Sequence, residues 1–374
     1  MPIRTRAAII RQSPGEYETV ELELDDPRQN EVTVKLTASG LCHSDDHLQT
    51  GDMVLGHYPM CGGHEGAGVV TAVGPHTPGY EVGDHVVFSF LPACGKCAAC
   101  SRGQFNLCDT GANTLVGSRA DDVSSFRMHL DGEDVGQMAG ISTFAEYTTA
   151  HVDSVVRIPK DIPLKEAALV GCGVPTGWGS ATNMAGIEPG HTVIVMGVGG
   201  IGINAVQGAR HAGATTVIAV DPVPFKREKA QEFGATHSFA DIAEATTFAQ
   251  SITEGQGADS AIVTVGVTTG EHVGQAVAAI RKGGTVVLTG VGKMAEVGIP
   301  VSPFEMVMMQ KRIQGAIYGG NSPHDVIPRL LRMYQAGQLK LEELITKEYT
   351  LDEVAQGYRD MHAGTNIRGI VVYE

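Results

Sequence analysis

Between residues 192 and 290 the chain alternates wholly apolar short runs with longer stretches of helical spacing. TVIVM (192–196), TTVIAVD (215–221), SAIVTVG (260–266) and TVVLTG (285–290) place apolar residues on consecutive positions. A strand with one wet face alternates; a strand covered on both faces does not. The segments between, such as PFKREKAQEFG and EHVGQAVAAIRKGG, repeat apolar residues at helical intervals and end in glycine, a helix stop. The pattern predicts a parallel sheet with helices on both faces. The first 170 residues read differently. EVTVKLTAS, GAGVVTAVG and GDHVVFSF are short β-branched runs bounded by turn residues, which predicts a mostly-β domain with little helix. The character changes near residue 172, and after about residue 320 patterning is mixed, with IRGIVVYE as a final strand. That tail is expected to return to the N-terminal domain. Residues 174–320 would then form an α/β cofactor domain inserted into a catalytic domain made of 1–173 and 321–374.

Composition narrows the partners. A chain of 374 residues, 43% hydrophobic and 18% charged, is long enough for two domains with a sizeable core. Its net charge of −15 would be repelled by phosphate backbones and anionic membranes, so neither nucleic acid nor a membrane is expected as partner. No run of eighteen apolar residues occurs. The N-terminus MPIRTRAAII has only a four-residue apolar run, so no secretion signal is expected, and seven cysteines then suit a reducing, cytoplasmic compartment.

After TVIVM comes Gly197-Val198-Gly199-Gly200-Ile201-Gly202, followed by a helical pattern. Alone, such spacing is weak in a chain with 48 glycines; between a strand and a helix it is the context a dinucleotide pyrophosphate needs. Glycines allow a tight turn and close backbone approach, and the helix N-terminus offers N–H donors. The next strand ends at Asp221, where a carboxylate can accept the ribose hydroxyls of NAD and repel a 2′-phosphate. An ordinary helix cap would explain the same residue. Arg227 nearby is the kind of residue that serves NADP.

Cys94, Cys97, Cys100 and Cys108 stand within fifteen residues as C-x2-C-x2-C-x7-C. Short steps aim several thiolates at one point, which suits a closed tetrahedral zinc site in a lobe spanning 94–108. Disulfides would need an oxidising compartment, and an iron–sulfur cluster would favour a shorter last gap followed by proline. A second set of polar islands is Cys42-His43-Ser44-Asp45-Asp46-His47, Gly62-Gly63-His64-Glu65 and Gly171-Cys172-Gly173. No spacing rule joins Cys42, His64 and Cys172; they could equally be two core thiols and a satisfied histidine.

GLCHSDDH, GGHEGAG, CGKCAAC…C, GCGV and GVGGIG, in this order, resemble the zinc-dependent medium-chain alcohol dehydrogenases over essentially the whole chain. VVFSFLPACGKC, NLCDTGA, LVGCGV, AVDPVPFKRE, FGATH and NIRGIVVY resemble the N,N-dimethyl-4-nitrosoaniline-dependent subgroup, whose members retain NAD as a bound redox group. The resemblance implies a Rossmann cofactor domain inserted in a mostly-β GroES-like catalytic domain, with NAD and two zinc ions per chain. It implies that Cys42, His64 and Cys172 ligate catalytic zinc, that Asp45 orients His64, and that Glu65 is an outer or transient fifth ligand. Ser44 would take the alcohol proton, a ribose hydroxyl would relay it, and His47 would release it; the residue pattern alone would make His47 a surface histidine. His43 and Arg368 would contact the pyrophosphate and Lys226 a ribose, while Thr176 and Ile201 would pack on the nicotinamide. Met53, Phe90 and Phe144 would line an apolar substrate pocket, or simply pack the core. Cys61 is left as a packing residue.

The expected partners are an alcohol or aldehyde, an external electron acceptor, and further copies of the chain in a dimer or tetramer, with RIQGAIYGG as a strand able to extend a sheet. Two enzyme alternatives are an alcohol dehydrogenase with exchanging NAD and a formaldehyde dehydrogenase acting on a thiol adduct. The latter would want a cationic clamp, for which Arg119 and Arg127 are the only arginines in 109–140, amid six acidic residues. A non-catalytic nucleotide-binding protein is the alternative of another class.

Overall fold

The computed structural model describes residues 3–374, which divide into two compact units, residues 3–172 with 322–374, and Gly173–Asn321. In the first unit, strands Ile3–Ile10, Glu18–Leu24, Met128–Leu130, Glu133–Gln137 and Met60–Cys61 close a small barrel. A seven-stranded sheet lies in the same unit, with Glu31–Gly40 at its heart. That strand pairs with Gly66–Val73, Tyr147–His151 and the C-terminal strand Arg368–Val372, all antiparallel. Val32, Val34 and Leu36 share a core with Val70, Val86, Phe88 and Ile141. Pairing of Ile370 with Gly40 and Val371 with Ser39 brings the last strand beside the segment that leads into Cys42.

The sequence read this half as almost free of helix, yet a helix spans His43–Thr50. Its residues HSDDHLQT form no apolar stripe; the buried face is Asp45, Asp46, His47 and Leu48. A periodicity search follows apolar residues, so a helix that buries carboxylates and an imidazole escapes it.

The second unit is a six-stranded sheet in the order His237–Phe239, Thr216–Val220, Thr192–Met196, Ala258–Val263, Ile280–Leu288, Arg312–Gly315. All pairs are parallel. Numbered along the chain this order is 3-2-1-4-5-6, and ligands bind beyond the strand ends where such an order reverses. The reversal falls at Thr192–Met196, directly before the glycine loop. Ile194, Ile218, Ala261 and Val286 of the sheet pack on Ala245, Ala249, Val273 and Val277 of the helices. One helix is shorter than its pattern suggested. Gly270–Ala279 ends where Ile280 joins the sheet opposite Ala258, so the presumed stop at Gly283-Gly284 lies within the strand Ile280–Leu288. Among the described residues, no helix is long and apolar enough to cross a membrane.

Candidate active site: two metal centres and a dinucleotide loop

Cys42, His64, Glu65 and Cys172 come together although sequence separates them widely. One ligand atom from each lies within 4.8 Å of the others, and all four residues are buried. Cys42 leaves the central strand in an extended conformation and caps the helix His43–Thr50. His64 and Glu65 precede the neighbouring strand Gly66–Val73 and are tied to the central strand by Gly40 N–H donating to Glu65 O at 3.1 Å and Ser39 Oγ donating to the same oxygen at 2.8 Å. Cys172 follows the short helical turn Leu169–Gly171. Gly40 has a steric reason: a Cβ there would collide with the Glu65 carboxylate and the Arg368 guanidinium.

The electrostatics suit a cation. His64 Nδ1 lies 2.8 Å from Asp45 Oδ2, and Asp45 Oδ1 accepts Gly63 N–H at 2.8 Å. This leaves His64 Nε2 buried without a hydrogen-bond partner among the described residues, as a metal ligand must be before its metal binds. Burial works against the imidazolium, but Asp45 and Cys42 outweigh it and raise the His64 pKa well above its ordinary value. A hydrogen bond from Cys172 lowers the Cys42 pKa, and the same contact, with burial, raises that of Cys172. Two sulfurs, one imidazole nitrogen and a dry pocket are the donor chemistry of catalytic zinc with an open position. Cation binding would displace the protons these groups otherwise share.

Glu65 is not free to wander. Arg368 pairs with it, and the same Nη2 donates to Leu41 O at 3.3 Å. Burial raises the Glu65 pKa, and Arg368 opposes that. Arg368, expected at a pyrophosphate, is therefore placed against the Glu65 carboxylate, itself 3% exposed. His43 is half-buried at the start of its helix.

Ser44 Oγ lies 4.0 Å from Cys42 Sγ. His47 is no surface histidine: it is 2% exposed, with Nδ1 3.6 Å from Asp52 Oδ2 and no hydrogen bond to either ring nitrogen among the described residues. Asp46, which sequence reasoning passed over, accepts from His362 Nε2 at 2.7 Å. The adjacent carboxylates of SDD were its one local signal. Phe90 stands edge-on to His64 with ring centroids 5.6 Å apart, and Met53 packs half-buried on a neighbouring core cluster. Phe144 is fully buried against Tyr17 and Tyr358, a packing environment with no accessible face. Cys61 is likewise buried, its thiol pushed up to about 12 by burial.

The four-cysteine lobe is built by backbone turns. Sulfurs of Cys94, Cys97, Cys100 and Cys108 lie within 4.8 Å of one another. Cys97 N–H points at Cys94 Sγ, Cys100 N–H and Asp109 N–H at Cys97 Sγ, and Cys94 N–H at Cys108 Sγ, each at 3.4 Å. Such donors stabilise thiolates. All seven cysteines of the chain are free, and Cys97 Sγ to Cys108 Sγ is 3.9 Å, far beyond an S–S bond. The set fits a closed structural zinc.

In the second unit, Gly197 turns with φ +87°, and a Cβ on Gly202 would collide with Gly197 O. Gly199 is the exception, since a Cβ there would enter open space. That is the arrangement of a loop whose middle glycine admits a phosphate to the backbone. Gly200 and Ile201 lead into the helix Gly202–His211. Asp221 Oδ2 accepts Val198 N–H and Oδ1 accepts Val223 N–H, both at 3.0 Å, so the carboxylate is fixed against the loop with lone pairs to spare. Arg227 is spent on the carbonyls of Asp221 and Pro222, at 2.7 and 3.0 Å. Lys226 is half-buried on the helix Pro224–Glu232. Thr176 is buried with its hydroxyl lacking a partner among the described residues.

Comparison with known proteins agrees with this geometry. Residues 28–160 match the alcohol dehydrogenase GroES-like domain and residues 200–336 the zinc-binding dehydrogenase family. The chain is 50% identical over 371 residues to an NDMA-dependent alcohol dehydrogenase of Amycolatopsis methanolica, covering 99% of each chain. An alcohol dehydrogenase zinc-binding domain protein from Burkholderia ambifaria is 30% identical with a TM-score of 0.91, and benzyl alcohol dehydrogenase from Acinetobacter calcoaceticus is 28% identical with a TM-score of 0.87; each comparison covers 100% of both chains. The chain belongs to the zinc-dependent medium-chain alcohol dehydrogenases, in the N,N-dimethyl-4-nitrosoaniline-dependent subgroup.

Proposed function

We propose that this alcohol dehydrogenase keeps NAD bound through turnover, oxidises an apolar alcohol of moderate size, and passes the electrons to an external acceptor. The observation that carries the chemistry is the buried cluster of Cys42, His64 and Cys172, with Ser44 Oγ 4.0 Å from Cys42 Sγ. Retention of NAD rests on the 50% identity to the NDMA-dependent enzyme over 99% of the chain. When bound, zinc supplies Lewis acidity that acidifies an alcohol and NAD supplies the hydride acceptor.

The chain's own residues do the rest. Asp45 holds the Nδ1–H tautomer of His64, leaving Nε2 to ligate. Arg368 pairs with Glu65 and fixes the carboxylate at the edge of the ligand set. Ser44 Oγ accepts the alcohol's proton and passes it on, and His47 carries it outward beside Asp52. Phe90, edge-on to His64, excludes water from the reacting carbon, and Met53 extends the apolar wall. Asp221 selects NAD through the ribose, while His43, Lys226, Thr176, Ile201 and the loop Gly197–Gly202 seat the remainder of the nucleotide. Arg119 and Arg127 are buried against Glu31, so neither supports a clamp for an anionic thiol adduct.

A dimer is the expected assembly. Among the described residues the edge strand Arg312–Gly315 has no further neighbour in its sheet, and Val297, Phe304, Val307 and Met308, in the segment that precedes it, are 63–88% exposed. Such an edge invites pairing with a second copy. Free cysteines throughout suit a reducing cytoplasm.

His47→Gln tests the relay. Alcohol oxidation should fall about a hundredfold with zinc content intact, and the pH–rate profile should shift. An unchanged rate across the pH range would remove His47 from the mechanism.

A further inference from the structure

Arg119 and Arg127 have no part in that chemistry, yet they are among the largest fully buried side chains in the first unit. Arg127 Nε donates to Glu31 Oε1 at 2.8 Å and Nη1 to Gln137 Oε1 at 3.0 Å. Its third donor group, Nη2, is buried with no hydrogen-bond partner among the described residues. Ser118 Oγ is in the same state, on a residue 2% exposed. Both residues line one small cavity, with Pro92, Ala139, His151 and Ser154 among its other walls. His151 Nδ1 faces Asp153, at 3.2 Å from its N–H and 3.5 Å from its Oδ2, which leaves Nε2 as the other ring nitrogen. No carboxylate is among the lining residues.

Charge in this cluster is unevenly balanced. Glu31 serves both guanidiniums. Asp25 reaches only Arg119, at 2.9 Å, and it is shared with His129 at 3.5 Å. The Arg127 cation therefore shares the Glu31 carboxylate, has one neutral amide beside it and feels Asp121 only through charge, while the cavity it lines carries no carboxylate. Burial is the foremost influence on Arg127 and lowers its pKa, as expected where compensation is incomplete. An unpaired buried donor costs roughly 1–3 kcal/mol, more when charged, and two stand at one cavity. One small acceptor between them would satisfy both.

We infer that this cavity is a binding site for a single monovalent anion of halide size, held by Arg127 Nη2 and Ser118 Oγ. The bound anion ties Ser118 to Arg127 from outside the barrel strands and so fastens the segment between the four-cysteine lobe and Glu133–Gln137. Binding is reversible and involves no covalent step. The site is separate from zinc and nucleotide chemistry, so it stands or falls independently of the proposed turnover.

The test uses the intact enzyme exchanged into sodium gluconate. Sodium chloride or bromide is titrated in at constant ionic strength while Tm is followed, and crystals are grown in bromide. Arg127→Met would also strip Glu31 of a partner, so Ser118→Ala is the diagnostic variant. The expected result is a saturable rise in Tm with either halide, an anomalous bromide peak within hydrogen-bond distance of Arg127 Nη2 and Ser118 Oγ, and a midpoint shifted about tenfold upward in Ser118→Ala. Identical Tm in gluconate and halide overturns the inference, and so does a cavity holding water with no anomalous signal in bromide.

Discussion

Asp45→Asn isolates the orientation of the catalytic ligand set. The carboxylate sits between two donors, His64 Nδ1 at 2.8 Å and Gly63 N–H at 2.8 Å. It is fully buried, so no solvent replaces what it provides. An amide has the same shape but one acceptor and one donor end. If its oxygen stays on Gly63, its NH2 meets His64 Nδ1, and the imidazole is driven to the Nε2–H tautomer, which cannot ligate. If it flips, Gly63 N–H faces an NH2 group in a dry site. Either state penalises metal binding. Loss of such an orienting partner typically costs 10–100-fold in metal affinity, or about 1.4–2.7 kcal/mol. The four-cysteine lobe is untouched. Competition with a chelator, followed by zinc counting, should therefore show one zinc lost 10–100-fold more readily and one held as before, with alcohol oxidation falling in step with the first. Two zinc ions released as in the unmutated chain, with activity intact, would refute the argument that Asp45 sets the tautomer.

Three further outcomes follow from the geometry. Cys172→Ser should lose one zinc and nearly all activity while remaining folded, whereas Cys100→Ser should lower Tm sharply because a closed site contributes folding energy; metal analysis and thermal melts distinguish them. Asp221→Ser removes the carboxylate that accepts Val198 N–H and that we propose selects the ribose, so NAD binding should weaken and relative NADP affinity rise by about 1–3 kcal/mol, measured by titration of nucleotide-free protein. Asp360 is held down at about 2 by Lys347 first, then Tyr349 and Gln356. A depressed carboxylate contributes stability that is present above its unfolded pKa and lost as pH falls toward the folded value. Asp360→Asn should thus flatten the acid-unfolding curve between roughly pH 4 and 2, scored by circular dichroism.

What the sequence revealed depended on range. The four cysteines span fifteen residues, and their spacing alone aimed them at one point. Thr192–Met196, the glycines and Asp221 form one local strand–turn–helix–strand unit, so period and punctuation were enough. Cys42, His64 and Cys172 became a set only through resemblance, because the pairing of Glu31–Gly40 with Gly66–Val73 and the turn Leu169–Gly171, not spacing, assemble them. Arg368 with Glu65 and His362 with Asp46 are pairs 303 and 316 residues apart. No window of sequence contains both members. Arg119 and Arg127 are a further long-range case. Set among six acidic residues they offered no strong clamp, but nothing local showed that each is only 1% exposed with Glu31, from the central strand, as the partner. Resemblance left Phe144 as either a pocket wall or a core residue, and its edge-to-face contacts with Tyr17 and Tyr358 place it in the core.

The central claim is that NAD travels with the enzyme through turnover. The most direct measurement is alcohol oxidation by gel-filtered protein with a nitrosoaniline acceptor and no added nucleotide, followed by denaturation and identification of what is released. The account predicts steady acceptor reduction and close to one NAD per chain in the denatured supernatant. Protein that carries no nucleotide and turns over only when NAD is supplied would contradict it.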